Sequence, residues 1–259
     1  MKRRKTIQST ITHMNLRLVL LAAAFFVIAA GAGWTQDVDR ILERMEENRI
    51  HETSRSEGKM IIDDRFGKKI STFISYSRGA EESLVEFTSK QEQGQKILRT
   101  KDEIYLYYPD AEEIIRMQSA ALRESVLGSD FSYEDMTGEK SILDTFEPKL
   151  LGTETIDGHD CYKIELKAKT RNVPYPKEIV WVDKDRYIAW QVHKFSLSGK
   201  LLKEMTVHEV KELRGKVIPT HMTMVDTMKK NSSTELIIEE MKINVSLDPS
   251  LFSLEELTW

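Results

Sequence analysis

Catalysis in this chain would have to begin at its histidines and carboxylates. His51-Glu52 opens like a zinc-binding helix, but no second histidine follows at the spacing that would complete the ligand pair. His193, His208 and His221 fall in three different predicted strands, and each reads more simply as a surface or hydrogen-bonded core residue. Glu134-Asp135 sets two carboxylates side by side, yet adjacent positions on a short helix point apart. Asp183 and Asp185 read as turn residues. The nucleophile-elbow, phosphate-loop and dinucleotide-glycine patterns are absent. Cys161 is the sole cysteine, so neither an internal disulfide nor a thiolate metal cluster can form. It reads as a small buried apolar residue. These residues predict no enzyme, no cofactor and no metal site.

The apolar residues offer more. Met205, Met222, Met224, Met228 and Met241 fall in the last three long strands, and Met222, Met224 and Met228 share one parity. Methionine suits a surface that accepts varied apolar shapes, and equally fills ordinary cores. Trp181, Trp190 and Phe195 pose the same choice between lining a cavity and covering a sheet. In Ile104 to Tyr108, Tyr105 and Tyr107 face one way while Ile104, Leu106 and Tyr108 face the other, so both faces of that strand are at least partly covered.

The elements that must position these side chains follow from pattern. Lys2, Arg3, Arg4, Lys5 and Arg17 precede an uncharged apolar run, Leu18 to Ala32, that ends in small residues. That order predicts a cleaved secretory signal over 1–33, shorter than a membrane span, and a single domain over 34–259. No cysteine stands near the cleavage site to take a lipid. Without residues 1–33 the formal charge falls from −4 to −9, which argues against nucleic acid and against anionic lipid surfaces as partners. Val38, Ile41, Leu42 and Met45 make one helical face, with Thr35 or Asp37 as its cap. Beyond Glu57 the chain reads as hairpins, with Asp157-Gly158, Asp183-Lys184-Asp185, Ser198-Gly199 and Arg214-Gly215 as turns. Ser119 to Leu127 is helix-compatible but weakly periodic. Ser129 or Asp130 is placed to cap a short helix carrying Phe131 and Tyr133, which Gly138 ends. Ser141 to Phe146 reads as a short helix stopped by Pro148. The predicted class is α+β: a long antiparallel sheet that must curl, split or close, most economically as a half-open barrel around a few helices.

Tyr105-Leu106-Tyr107-Tyr108-Pro109, followed by Gly128-Ser129-Asp130-Phe131-Ser132-Tyr133-Glu134-Asp135, resembles the LolA-like outer-membrane lipoprotein-sorting proteins, in the branch with a GSDFSYED stretch. The resemblance implies a periplasmic carrier that holds acyl chains of lipoproteins or phospholipids in an apolar cavity. It implies an inner-membrane exporter or permease and an outer-membrane acceptor as partners, and a monomer. A lipid-sensing domain of the same fold, without transport, is the alternative. Under this reading Tyr105, Tyr107, Met117, Trp181, Trp190, Met205, Met222 and Met224 are cavity candidates. Ser119 to Asp135 is the candidate cover: Phe131 and Tyr133 plug the cavity, Asp130 and Asp135 tether the plug, and Gly128 lets the backbone turn.

Overall fold

The computed structural model describes residues 38–101, 103–137, 141–171 and 173–258. The expected signal segment 1–33, the caps expected at Thr35 or Asp37, and Gly138 lie outside them. Helix α1 spans 38–49. Thirteen strands follow: β1 (Thr53–Asp64), β2 (Gly67–Arg78), β3 (Glu82–Phe87), β4 (Lys96–Arg99), β5 (Ile104–Tyr108), β6 (Glu113–Met117), β7 (Phe146–Ile156), β8 (His159–Ala168), β9 (Lys177–Asp183), β10 (Ala189–Phe195), β11 (Leu201–Leu213), β12 (Lys216–Asp226) and β13 (Ser233–Ile243). Two short helices, α2 (Tyr133–Thr137) and α3 (Ile142–Thr145), precede β7.

All thirteen strands form one curved, unclosed antiparallel sheet in the order β6-β5-β4-β3-β2-β1-β13-β12-β11-β10-β9-β8-β7. Consecutive strands are neighbours everywhere except at β6 and β7, and one pair of neighbours is not consecutive. β13 returns to pair with β1, which joins the halves. β6 and β7 are consecutive in sequence yet stand at opposite edges. The segment 118–145 therefore has to cross the whole width of the sheet. Twelve inter-strand gaps of about 4.8 Å set that width near 58 Å along the curve, within reach of this segment at roughly 3.3 Å per extended residue.

Strand register gives the two faces. On the inner face, α1 packs through Val38, Ile41, Leu42 and Met45 onto Ile164, Leu166, Val180, Val182 and Val192. The crossing segment packs onto the other half, over Met60, Ile62, Phe73, Val85, Phe87, Ile97, Ile104, Leu106 and Met117. On the outer face, Leu84, Leu98 and Tyr107 are covered by Phe252 and Leu257 of the C-terminal turns. Gly58 is needed where β1 meets β13, since a Cβ there would stand 2.4 Å from the Ile237 carbonyl oxygen.

Local expectations are corrected at three places. Ser119 to Leu127 is not a helix but two 3-10 turns, Ser119–Arg123 and Val126–Gly128, broken by Leu127 at φ 53°. The cap of α2 is Ser132, not Ser129 or Asp130: the Asp135 amide donates to Ser132 Oγ (3.2 Å) and the Ser132 amide donates to Asp135 Oδ2 (2.9 Å). This is a capping box with aspartate in place of glutamate. The short helix expected over Ser141 to Phe146 is present as α3 but ends at Thr145, not at Pro148, which lies inside β7, where an edge strand tolerates the missing N–H.

Candidate functional site

The pairing of β10 with β11 sets Lys194 directly opposite Lys203. Lys194 shares parity with Val192, and Lys203 with Met205, so both lysines point to the inner face and both are buried. Like charges at directly opposed positions destabilise a sheet unless an anion lies between them. The crossing segment supplies that anion. Asp135 Oδ1 accepts from Lys194 Nζ and Oδ2 from Lys203 Nζ, each at 3.0 Å. Ser132 adds its amide and its hydroxyl (2.7 Å) to Oδ2. Tyr175 closes the group, its hydroxyl 3.2 Å from Ser132 Oγ and its ring 4.7 Å from Lys194 Nζ. Glu178, also buried on β9, stands 3.6 Å from Lys194. Two cations and two carboxylates are thus gathered beneath β9, β10 and β11, close to the β10–β11 turn. Burial alone would raise the Asp135 pKa, but Lys194, Lys203 and the Ser132 hydrogen bonds hold it well below the usual carboxylate range.

Asp130 makes the second attachment. Its Oδ2 accepts from the hydroxyls of Thr234 (2.7 Å) and Ser232 (2.9 Å), and its Oδ1 from the Asp226 amide (3.1 Å). Its own amide donates to Thr234 Oγ1 (2.9 Å), and its carbonyl accepts from Lys203 Nζ (2.6 Å). Lys229, at the β12–β13 turn, donates to the Gly128 carbonyl at 2.9 Å. A third attachment reaches the other half of the sheet. Glu134 pairs with Arg99 of β4 at 2.7 Å, and Thr137 accepts from Arg99 Nε and donates to the Tyr133 carbonyl. Glu134 and Asp135 therefore do point apart, one to each half. Leu127 and Gly128, at φ 53° and 81°, turn the chain just ahead of Asp130, a conformation cheap only for glycine.

The candidates chosen from sequence divide accordingly. Met117, Gly128, Asp130, Phe131, Tyr133 and Asp135 belong to the crossing segment or the face beneath it; Phe131 and Tyr133 are buried. Met205, Met222 and Met224 are inner-facing on β11 and β12, with Met205 opposite Met224. Tyr105 and Tyr107 lie on the outer face. Trp181 also faces outward, opposite in parity to Val180 and Val182, with its indole N–H on Glu154 (3.0 Å) and Lys163 over its ring. Trp190 sits in a β-bulge, its N–H on Asp183 (2.7 Å) and His159 stacked on it at 3.9 Å. Lys194, Lys203, Tyr175, Glu178, Thr234 and Arg99 were not selected from sequence. The available signal was a lysine in an apolar alternation, twice, on consecutive strands.

A cavity of about 380 Å³ opens in the sheet itself, between β12 and β13. The ladder joining them runs only from His221–Ile237 to Met224–Thr234. Beyond it Pro219 has no N–H to give, the β11 register skips Thr220, and the β1 register skips Glu239. Ile218, Thr220, Ile238 and Met241 are among its walls. Met241 is one of the methionines noted in the sequence, but none of the cavity or cover candidates lines it. Its volume is at the low end of the roughly 300–1,000 Å³ usual for small-ligand sites.

A family model described as "uncharacterized protein" matches residues 79–259. No curated protein matches the chain. Solved structures share the fold, among them the following three. A DUF1329 family protein from Desulfovibrio piger is 22% identical with a TM-score of 0.80, covering 86% of this chain and 99% of that one. A domain named for outer-membrane lipoprotein sorting, from Vibrio parahaemolyticus, is 22% identical with a TM-score of 0.77, covering 86% and 100%. A LolA superfamily protein from Nitrosomonas europaea is 24% identical with a TM-score of 0.72, covering 85% and 98%.

Proposed function

We propose that this chain, which belongs to the family matched over residues 79–259 and has the LolA-like fold, is a periplasmic carrier of acyl chains. The observation that carries the reading is the nature of the cover. Nine large apolar side chains, from Met60 to Met117, line the inner face of β1 to β6. What lies over them is a segment of short turns fastened by ion pairs and hydrogen bonds at Asp130, Glu134 and Asp135. Such a cover can leave as a unit and exchange its polar contacts for water.

The energies are matched. The crossing segment contributes Val126, Tyr133, Leu122, Leu127, Ala121 and Met136 to the apolar contact. At about 1.5–3 kcal/mol for each large side chain, uncovering them costs on the order of 10 kcal/mol. An acyl chain of a dozen or more methylenes returns a similar amount at about 0.8 kcal/mol each. A near balance lets cargo load and leave, which a carrier needs and a permanent lipid anchor does not. Lipoproteins or phospholipids are the cargo in this reading, received from an inner-membrane exporter and passed toward the outer membrane.

The test is to purify the full chain from a bacterial periplasm, extract it with organic solvent and identify bound lipid or lipopeptide by mass spectrometry. The loaded protein is then mixed with acceptor vesicles. The reading expects about one acylated molecule per chain and its transfer to the acceptor. Protein that carries no lipid and takes up none would refute it; lipid held without transfer would favour a sensor.

A further inference from the structure

Three hairpin turns at one end of the sheet each push a large apolar side chain into solvent. They are Phe66 between β1 and β2 (82% exposed), Leu197 between β10 and β11 (83%) and Met228 between β12 and β13 (58%). The register places all three at the same end: Asp63 pairs with Ser233, and Lys203 with Asp226. In the strand order β2-β1-β13-β12-β11-β10 they are every second turn, so neighbouring tips stand about 10 Å apart. The β8–β9 connection emerges at this end too, since Lys177 pairs with Phe195.

The charge of this end differs from that of the chain. The stretches 63–69, 169–176, 196–200 and 226–232 hold Arg65, Lys68, Lys69, Lys169, Arg171, Lys200, Lys229 and Lys230, eight basic residues against the three acidic ones Asp63, Asp64 and Asp226. The chain as a whole has 38 basic against 42 acidic residues. Of the three acids, Asp63 is 3.3 Å from Lys68, and Asp64 and Asp226 accept amides of their own turns. Glu92 of the adjoining β3–β4 turn is taken up by Lys69. The acidic β5–β6 turn, with Asp110, Glu112 and Glu113, is at this end as well but beyond β3 and β4. Arg65 lies over the Phe66 ring at 4.6 Å, so the most exposed aromatic carries its own cation.

Isolated exposed apolar residues are ordinary on a soluble surface. Three in a row on adjacent tips, each beside lysine or arginine, are not explained by packing, because they touch no core. A flat, anionic and greasy partner fits all of it: apolar tips enter the acyl boundary while the cations rest among the headgroups. Among the described residues no helix is long and apolar enough to cross a membrane. We propose that this end of the sheet docks on an anionic bilayer through Phe66, Leu197 and Met228. The docking does not depend on the carrier reading. If that reading also holds, Lys229 links the two, since the same ammonium that would meet a headgroup fastens the Gly128 carbonyl of the cover.

The test places an environment-sensitive fluorophore on the tip of the full chain. Cys161 is buried, so Leu197→Cys gives one accessible thiol, and Asp185→Cys in the β9–β10 turn gives a control at the other end. Each labelled protein is mixed with vesicles of phosphatidylcholine alone or with one third phosphatidylglycerol. The proposal expects the probe at 197, and not at 185, to enter an apolar environment on the anionic vesicles only. It expects binding to weaken about tenfold or more in 0.5 M salt, and by a similar factor in the Phe66→Ser/Leu197→Ser/Met228→Ser variant. Because the probe reports its own position, attachment through residues 1–37 leaves the probe at 197 in water and overturns the proposal. A tip probe that stays aqueous on every vesicle, or a serine variant that binds as the parent does, also overturns it. Loss of docking with lipid carriage intact would sink this inference and leave the carrier standing.

Discussion

Replacing Asp135 with asparagine keeps the size of the side chain and removes its charge. In the parent, Lys194 and Lys203 are balanced by Asp135 and Glu178, with all four side chains buried. The variant leaves two cations facing one carboxylate at directly opposed positions of β10 and β11. Removing one member of a buried ion pair costs about 3–5 kcal/mol, most of it from the charge left behind. For a domain of this size each kcal/mol moves Tm by about 2–4 °C, so a loss of roughly 6–20 °C is expected by calorimetry. A second variant, Asp135→Leu/Lys203→Met, removes one charge of each sign and leaves Lys194 with Glu178. It should be more stable than the single variant, with a coupling of about 1–3 kcal/mol. The acid limb follows from the sign of the Asp135 shift. Its folded pKa lies below the unfolded value, so its contribution is complete above about pH 4 and fades only as pH falls further toward the folded pKa. A single variant that melts within a degree of the parent, or a double variant no better than the single, would refute the reasoning that Asp135 neutralises the lysine pair.

Gly58→Ala should lower stability by about 1–3 kcal/mol, read from urea denaturation, because the new methyl meets the Ile237 carbonyl oxygen. Burial, with Asp183 close by, pushes the Cys161 thiol up to about 11, so a disulfide reagent at pH 8 should label it only after unfolding. Burial, and to a lesser degree Lys216, lowers the His51 pKa, so the unfolded chain takes up the proton first. Stability should therefore fall as pH drops below about 6.5 and level off below the folded pKa, and His51→Gln should flatten part of that slope in pH-dependent melting. Arg99→Met should speed hydrogen exchange over 133–137 more than over β4, since Glu134 and Thr137 each lose their contact with the guanidinium.

The sheet was legible because its turns carry their own chemistry. Asp157-Gly158 and Arg214-Gly215 adopt the positive φ that two-residue hairpins require, and alternation along β1, β5 and β10 marks the buried face. Helix α1 was legible from Val38, Ile41, Leu42 and Met45 for the same reason. The crossing segment was legible as irregular but not as a brace, because its order comes from distant partners. Asp135 is held by residues 59 and 68 positions away, and Asp130 by Thr234, 104 away. Ser132 as the helix cap could have been found from its spacing to Asp135. Trp181 was misleading for another reason: an aromatic residue in a strand shows its parity but not which face looks inward, and that depended on where α1 packs.

Hydrogen exchange of the full chain, followed by mass spectrometry with and without a lipidated peptide, tests the acyl-carrier account most directly. The account predicts that loading quickens exchange across 118–137, where the brace leaves, while β1 to β4 stay protected beneath the acyl chain. Peptide that binds with no change in that segment, or that does not bind at all, would contradict it.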